Sequence, residues 1–233
     1  MTDLYLQDWR AWTPHREAEG DSRLDTSDKP AGKAIPSMLR RRLNLLGRAV
    51  CDMLSDLDPD ADSVVLHASR HGDGERTLEM LYGLNEGEPL SPARFGLSVH
   101  NATVGVYSIA SGNRRSQQAI AASGGEWAAL MAEARGYLAD THSSLVIVFS
   151  DQPVPARFAS HAPESPFAAV ALRIGQAPTA DASLDAGRIV ETPVTTEAST
   201  LQPLDIIDWV TGRRQDVICP LSHRGWQFAD RAS

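Results

Sequence analysis

Cysteine is almost missing from this sequence. Among 233 residues only Cys51 and Cys219 occur, far apart and without CxxC spacing, which excludes a disulfide framework and a structural zinc site and fits a reducing cytoplasm. Long apolar runs are lacking too: the longest clean one, Leu145 to Phe149, is far short of a membrane span. The opening MTDLYLQDWRAW has no basic region followed by an apolar stretch, so a soluble, unexported protein is expected. Nor is there a basic excess. Lys and Arg number 22 against 30 Asp and Glu, a net charge of −8 spread along the chain, so no nucleic-acid partner is expected. No internal repeat is visible.

What is present is an apolar content of 42%, enough for one substantial core. Leu4 to Trp12 reads as a first strand, and residues 14 to 34 as a surface loop without period. Leu39, Leu43, Leu46, Val50, Met53 and Leu57 recur at steps of three and four, predicting one helix over 36 to 57 with Pro36 or Ser37 at its start. SVVLHA (63 to 68) is a short buried strand. GERTLEMLYGL is a second helix with Leu78, Leu81 and Leu84 on one side, ended by Asn85 and Gly87. Within residues 95 to 112, Val99, Thr103, Val106 and Ala110 share a helical face. SQQAIAAS is strand-like, Ser123-Gly124-Gly125 makes a tight turn, and WAALMAEARGYLA is helical: strand, sharp turn, helix, the layout of a nucleophile elbow. SLVIVFS and FAAVALRI are two further buried strands. From Gly175 through about residue 203 the composition shifts to Ala, Thr, Ser, Pro and Asp, a linker or loosely packed extension, and Leu204 to Thr211 forms one last short helix. Strands alternating with helices predict an α/β layered fold with a mainly parallel or mixed sheet.

Chemistry-bearing residues are few. Arg70-His71-Gly72 follows a strand and resembles the nucleophilic loop of histidine phosphatases, where arginines neutralise a phosphoryl group; His223 is the late histidine that family would need, and no strand precedes it. Ser123 sits where a serine hydrolase keeps its nucleophile, but AIAASGG lacks the first glycine of G-x-S-x-G, and nothing places His142 or His161 beside it. An independent hydrolase at His71 or Ser123 stays open as the alternative. Arg41 and Arg48, two turns apart on the long helix, would form a basic patch able to hold an acidic carrier protein or a phosphate, or simply a solvated face. Cys51 and Cys219 read as inert thiols, Cys51 as part of the core.

Three segments together carry a resemblance: IPSMLRRRLNLLGRAV; SRHGDGERTLEMLYGLNEGEPLSPARFGLSVHNATVGVYSIASG; and SQQAIAASGGEWAALMAEARGYL with SLVIVFSDQPVP. Over residues 4 to 174 they resemble the amino-terminal half of β-ketoacyl synthases, and more closely the short ketosynthase-like chain length factors of aryl polyene clusters. The resemblance implies a thiolase-like α/β/α half with a mixed sheet covered by helices, residues 1 to 175 forming that domain and 176 to 233 an extension. It puts Ser123 at or next to the position of the acylated cysteine of active ketosynthases, so no catalytic residue is expected. It implies heterodimer contacts at Gln117, Gln118, Ile120, Val99, His100, Asn101 and Tyr107, and a full-length ketosynthase as partner, whose carrier protein the basic patch of Arg41 and Arg48 could dock. An acyl carrier protein with its phosphopantetheine serves that partner; this chain itself needs no cofactor or metal. The function implied is that of a non-catalytic subunit that helps to shape the partner's acyl tunnel.

Overall fold

The computed structural model describes residues 3–140, 142–162, 164–179, 187–195 and 199–229. Its strands are β1 (Leu4–Trp12), β2 (Leu24–Asp25), β3 (Val65–Ala68), β4 (Gln117–Ile120), β5 (Ser144–Asp151), β6 (Ala168–Gly175), β7 (Arg188–Pro193), β8 (Asp216–Cys219) and β9 (Arg224–Phe228). All join one mixed sheet in the order β4-β3-β5-β6-β1-β7-β9-β8, with β2 against β1. β3 runs parallel to β4 and β5, whereas β6 is antiparallel to both β5 and β1.

Helices cover both faces. α2 (Leu45–Leu57) and α5 (Ala102–Ser111) lie on one side; α6 (Glu126–Asp140) and α7 (Pro203–Val210) lie on the other. Alternation along the strands supplies both layers. On β5, Leu145, Ile147 and Phe149 pack toward α6 while Val146 and Val148 pack toward α2. On β1 the parity switches: Leu4 and Leu6 face the α6 layer, and so do Trp9 and Ala11. A bulge between Leu6 and Asp8 makes this work by adding one residue to the strand. Each of the five tryptophans is buried. Trp127 meets Trp209 and Trp226 edge-on at 5.9 and 6.3 Å, and Trp209 stacks on Phe228 at 4.2 Å.

The layered α/β fold matches the expectation, with several local differences. The helix expected over 36 to 57 is two: α1 (Ser37–Arg40), a break, then α2, whose N-cap Asn44 accepts from the N–H of Gly47 at 2.8 Å. Arg41 and Arg48 therefore do not share one continuous helix face. α3 (Gly74–Asn85) forms as expected, but no residue of it is buried, and Leu81 and Leu84 are exposed. Residues 95 to 112 divide into α4 (Pro92–Gly96) and α5, so Val99 lies outside the helix and is exposed. Gly112 ends α5 at φ 79. The segment beyond Gly175, read as linker and one helix, also carries β7, β8 and β9: β7 pairs with β1 and β9 with β7. Residues 180–186 and 196–198 of the expected linker lie outside the described residues.

Candidate functional site

Because β3, β4 and β5 are parallel, their carboxyl ends open on one edge of the sheet, the place where such sheets build sites. Three loops leave there: residues 69–73 after β3, 121–125 after β4 and 152–155 after β5.

The second loop is the elbow. Ser123 adopts φ 51 and Gly124 φ 109, and the N–H of Gly125 donates to the Ala122 carbonyl at 2.9 Å, closing the turn. A left-handed serine is strained unless its surroundings hold it. Glu126, the first residue of α6, does so: its carboxyl accepts the N–H groups of Ala122 at 3.1 Å and Gly124 at 3.0 Å, with Arg70 Nη2 at 3.5 Å behind it. Nothing in the sequence distinguishes Glu126 from a surface residue in the first turn of a helix, yet its side chain is 0% exposed. Gly124 is needed for its φ and for space, since a Cβ there would meet Leu221 and Thr200 at 3.0 Å. Ser123 is exposed, and among the described residues no base is bonded to its Oγ. His142 lies by Tyr137 and the amino end of β5, and His161 bonds Ser160. Moreover, the N–H that a serine hydrolase would aim at its oxyanion, that of Gly124, is already given to Glu126.

Among the described residues no arginine cage forms around His71. Arg70 is directed to Glu126, and Asp151, 1% exposed, accepts from Ser69 Oγ at 3.5 Å. Burial pushes the Asp151 carboxyl above its ordinary range, against the pull of the His71 and Arg70 charges. Beneath the loops, His67 Nε2 and Ser150 Oγ share a hydrogen bond of 2.7 Å. A cavity of about 40 Å³ beside them is lined by Asn44, Asp73, Arg76, Thr103 and His100. His100 is also a wall of a larger apolar groove of about 480 Å³, lined by His71, Leu78, Leu81, Pro155, Phe158 and His161. Among the described residues no group of three or more His, Cys, Asp or Glu is placed to hold a metal ion, and no helix is long and apolar enough to cross a membrane.

Gln117, Gln118 and Ile120 lie on β4, the last strand of the sheet on this side. Val99, His100 and Asn101 precede α5, with His100 packed over Gly72. Tyr107 belongs elsewhere: it is 0% exposed and its hydroxyl donates to Asp58 Oδ2 at 3.0 Å, so it faces the core and not an interface. Arg41 is exposed at the end of α1, and Arg48 lies half-buried on α2.

The family model for the β-ketoacyl synthase N-terminal domain matches residues 9–229. This chain belongs to that family. The match includes the elbow and the strands after Gly175, so in this ketosynthase family member the tail strands lie within the matched region. No match is found among the curated proteins. The fold is similar to a chain of the complex of the ketosynthase ApeO with its chain length factor ApeC from Xenorhabdus doucetiae, with a TM-score of 0.74 at 21% identity over 99% of this chain and 100% of that one. It is also similar to the ishigamide ketosynthase/chain length factor (TM-score 0.58, 12% identity, 82% of this chain and 67% of that one). A third likeness is to AntDE:AntF, a type II polyketide acyl-carrier protein in complex with its ketosynthase (TM-score 0.58, 13% identity, 83% and 70%). At these identities the likenesses establish the thiolase-like ketosynthase fold.

Proposed function

We propose that this ketosynthase-like subunit is a non-catalytic, chain-length-factor-like protein that pairs with an active β-ketoacyl-acyl-carrier-protein synthase and helps to shape its acyl tunnel in aryl-polyene-type biosynthesis. The observation that carries the reading is the open edge of β4. Among the described residues no strand pairs with that edge, while Gln117 Nε2 and Gln118 Oε1 are buried without a hydrogen-bond partner. Unpaired edges and buried unsatisfied amides are costly in a free chain and are relieved when another strand docks.

A second feature supports it. The segment from α3 to α5 leaves Leu81, Tyr82, Leu84, Phe95, Val99 and Ile109 exposed, an apolar surface of the kind that marks a protein interface. The elbow agrees with the absence of chemistry in this chain: a serine in place of a thiol, no bonded base, and a turn amide already committed. On this reading the partner supplies the acylated cysteine, the acyl carrier protein brings phosphopantetheine, and Gln117, Gln118, Ile120, Val99, His100 and Asn101 are the candidate contacts.

The test is co-expression with an active β-ketoacyl-acyl-carrier-protein synthase from the same organism, pulling down on this chain and assaying malonyl-dependent chain extension. One-to-one co-purification, with activity that survives Ser123→Ala but not loss of the partner's cysteine, is the expected result. A monomer that ignores the ketosynthase and turns over a generic ester or phosphate would sink the reading.

A further inference from the structure

The elbow combines the shape of a reactive turn with the electrostatics of its opposite. A nucleophile elbow works by holding its residue at positive φ, exposed, with backbone N–H groups left free for the negative charge that develops during attack. The shape is present: Ser123 is exposed at φ 51 between Ala122 and Gly124. The free donors are not. Gly124 N–H donates to both Oε1 and Oε2 of Glu126 at 3.0 Å, and Ala122 N–H donates to Oε1 at 3.1 Å. Both carboxyl oxygens accept, which is how an ionised carboxylate bonds. Among the described residues its ion-pair partner is Arg70, which stands off at 3.5 Å.

We propose that Glu126 is a built-in counter-anion that fills the anion-stabilising amides of the elbow, holding the turn in reactive shape while opposing any negative charge at position 123. A thiolate or an oxyanion formed there would face a buried like charge, and like charges disfavour the ionised form. Loss of acylation chemistry is then secured twice, by the missing thiol and by the plug. Restoring the thiol alone leaves a poor nucleophile. The inference deepens the non-catalytic reading but rests only on the elbow's geometry, so its test contains no ketosynthase and can fail or succeed independently of the pairing experiment.

The test uses the full chain carrying Ser123→Cys. Alkylation by iodoacetamide at that peptide is followed against pH by mass spectrometry, with Cys51 and Cys219, both 0% exposed, as unreactive references in the same molecule. The introduced thiol is expected to titrate above the ordinary value of about 8.5. Adding Glu126→Gln, which keeps an acceptor of the same shape, is expected to lower it by about one unit, raising alkylation at neutral pH by about tenfold. Glu133→Gln, exposed two turns along α6, is the charge control and is expected to leave the titration in place. A thiol that titrates at or below the ordinary value with Glu126 present, or one that ignores Glu126→Gln, overturns the proposal. Should Glu126→Gln fail to fold by circular dichroism, Ser123→Cys with Arg70→Gln decides: removing the cation must push the thiol higher, and no rise overturns it.

Discussion

His67 Nε2 lies 2.7 Å from Ser150 Oγ across two adjacent parallel strands, and the other imidazole nitrogen, Nδ1, is buried with no partner. Burial first, and the charge of His100 second, hold its pKa down at about 4 against an ordinary 6.5. The folded chain therefore keeps His67 neutral where the unfolded chain protonates it. Unfolded protein binds more protons between the two values, so stability rises with pH there, and is lost progressively as pH falls from about 6.5 toward 4. The full effect is up to about 3 kcal/mol. Asp151 works in the opposite sense: its raised pKa favours folding while it is protonated, a contribution lost as pH rises through that pKa. Urea melts of wild type and His67→Gln across this window isolate the imidazole, because the difference between them removes the Asp151 contribution. A variant with the same acid sensitivity as wild type would contradict the assignment.

Gly124→Ala is expected to destabilise the fold by about 1–3 kcal/mol, since it places a side chain at φ 109 and drives its Cβ to 3.0 Å from Leu221 and Thr200. Gly125→Ala meets the Ala122 carbonyl at 3.4 Å and the Ala122 Cβ at 3.9 Å, both ordinary contacts, and is expected to stay within about 0.5 kcal/mol of wild type. Thermal unfolding of the pair reads the contrast directly.

Leu81 and Phe95 are 57% and 56% exposed, so Leu81→Asp and Phe95→Asp are expected to leave stability within about 0.5 kcal/mol. Co-purification with the ketosynthase is expected to drop at least about tenfold, the equivalent of 1.4 kcal/mol. Unchanged pull-down would remove the α3 to α5 surface from the interface.

Both native thiols are 0% exposed, and burial pushes the Cys51 pKa up to about 12. Native protein is expected to give almost no reaction with a disulfide reagent at pH 8, and two thiols per chain after addition of denaturant. Rapid labelling of the folded chain would show that one of the two helical layers opens.

How much of this could be read from residues alone depended on how each element is buried. β5 and β6 face apolar layers on both sides, so SLVIVFS and FAAVALRI stand out as continuous apolar runs. The break between α1 and α2 did not show, because the spacing of Leu39, Leu43 and Leu46 stays in helical phase across it; the available signal was Asn44 three residues before Gly47, an N-cap pattern. β7 sits among Ala, Thr, Ser and Pro, so composition masked it, while β8 and β9 are runs of four and five residues, too short to show a period. Tyr107 was drawn to an interface by resemblance, whereas its hydroxyl is satisfied inside by Asp58. At the elbow, strand, turn and helix were all legible, since a left-handed turn selects small residues. The role of Glu126 was not, because burial of a carboxylate depends on what other loops bring to it.

Trp12 pairs with Ala169, and Leu4 with Ile189. Apart from the two-residue β2, β1 thus waits for sheet partners, β6 and β7, that emerge after more than a hundred further residues, on the order of ten seconds later at ordinary translation rates. During that interval an apolar strand bearing Trp9 and Trp12 has only the two-residue β2 to pair with. Pairings this remote in sequence fold slowly, so the yield of native chain in the cell should depend on how well the nascent amino terminus is shielded, and slower translation or less available chaperone should lower it.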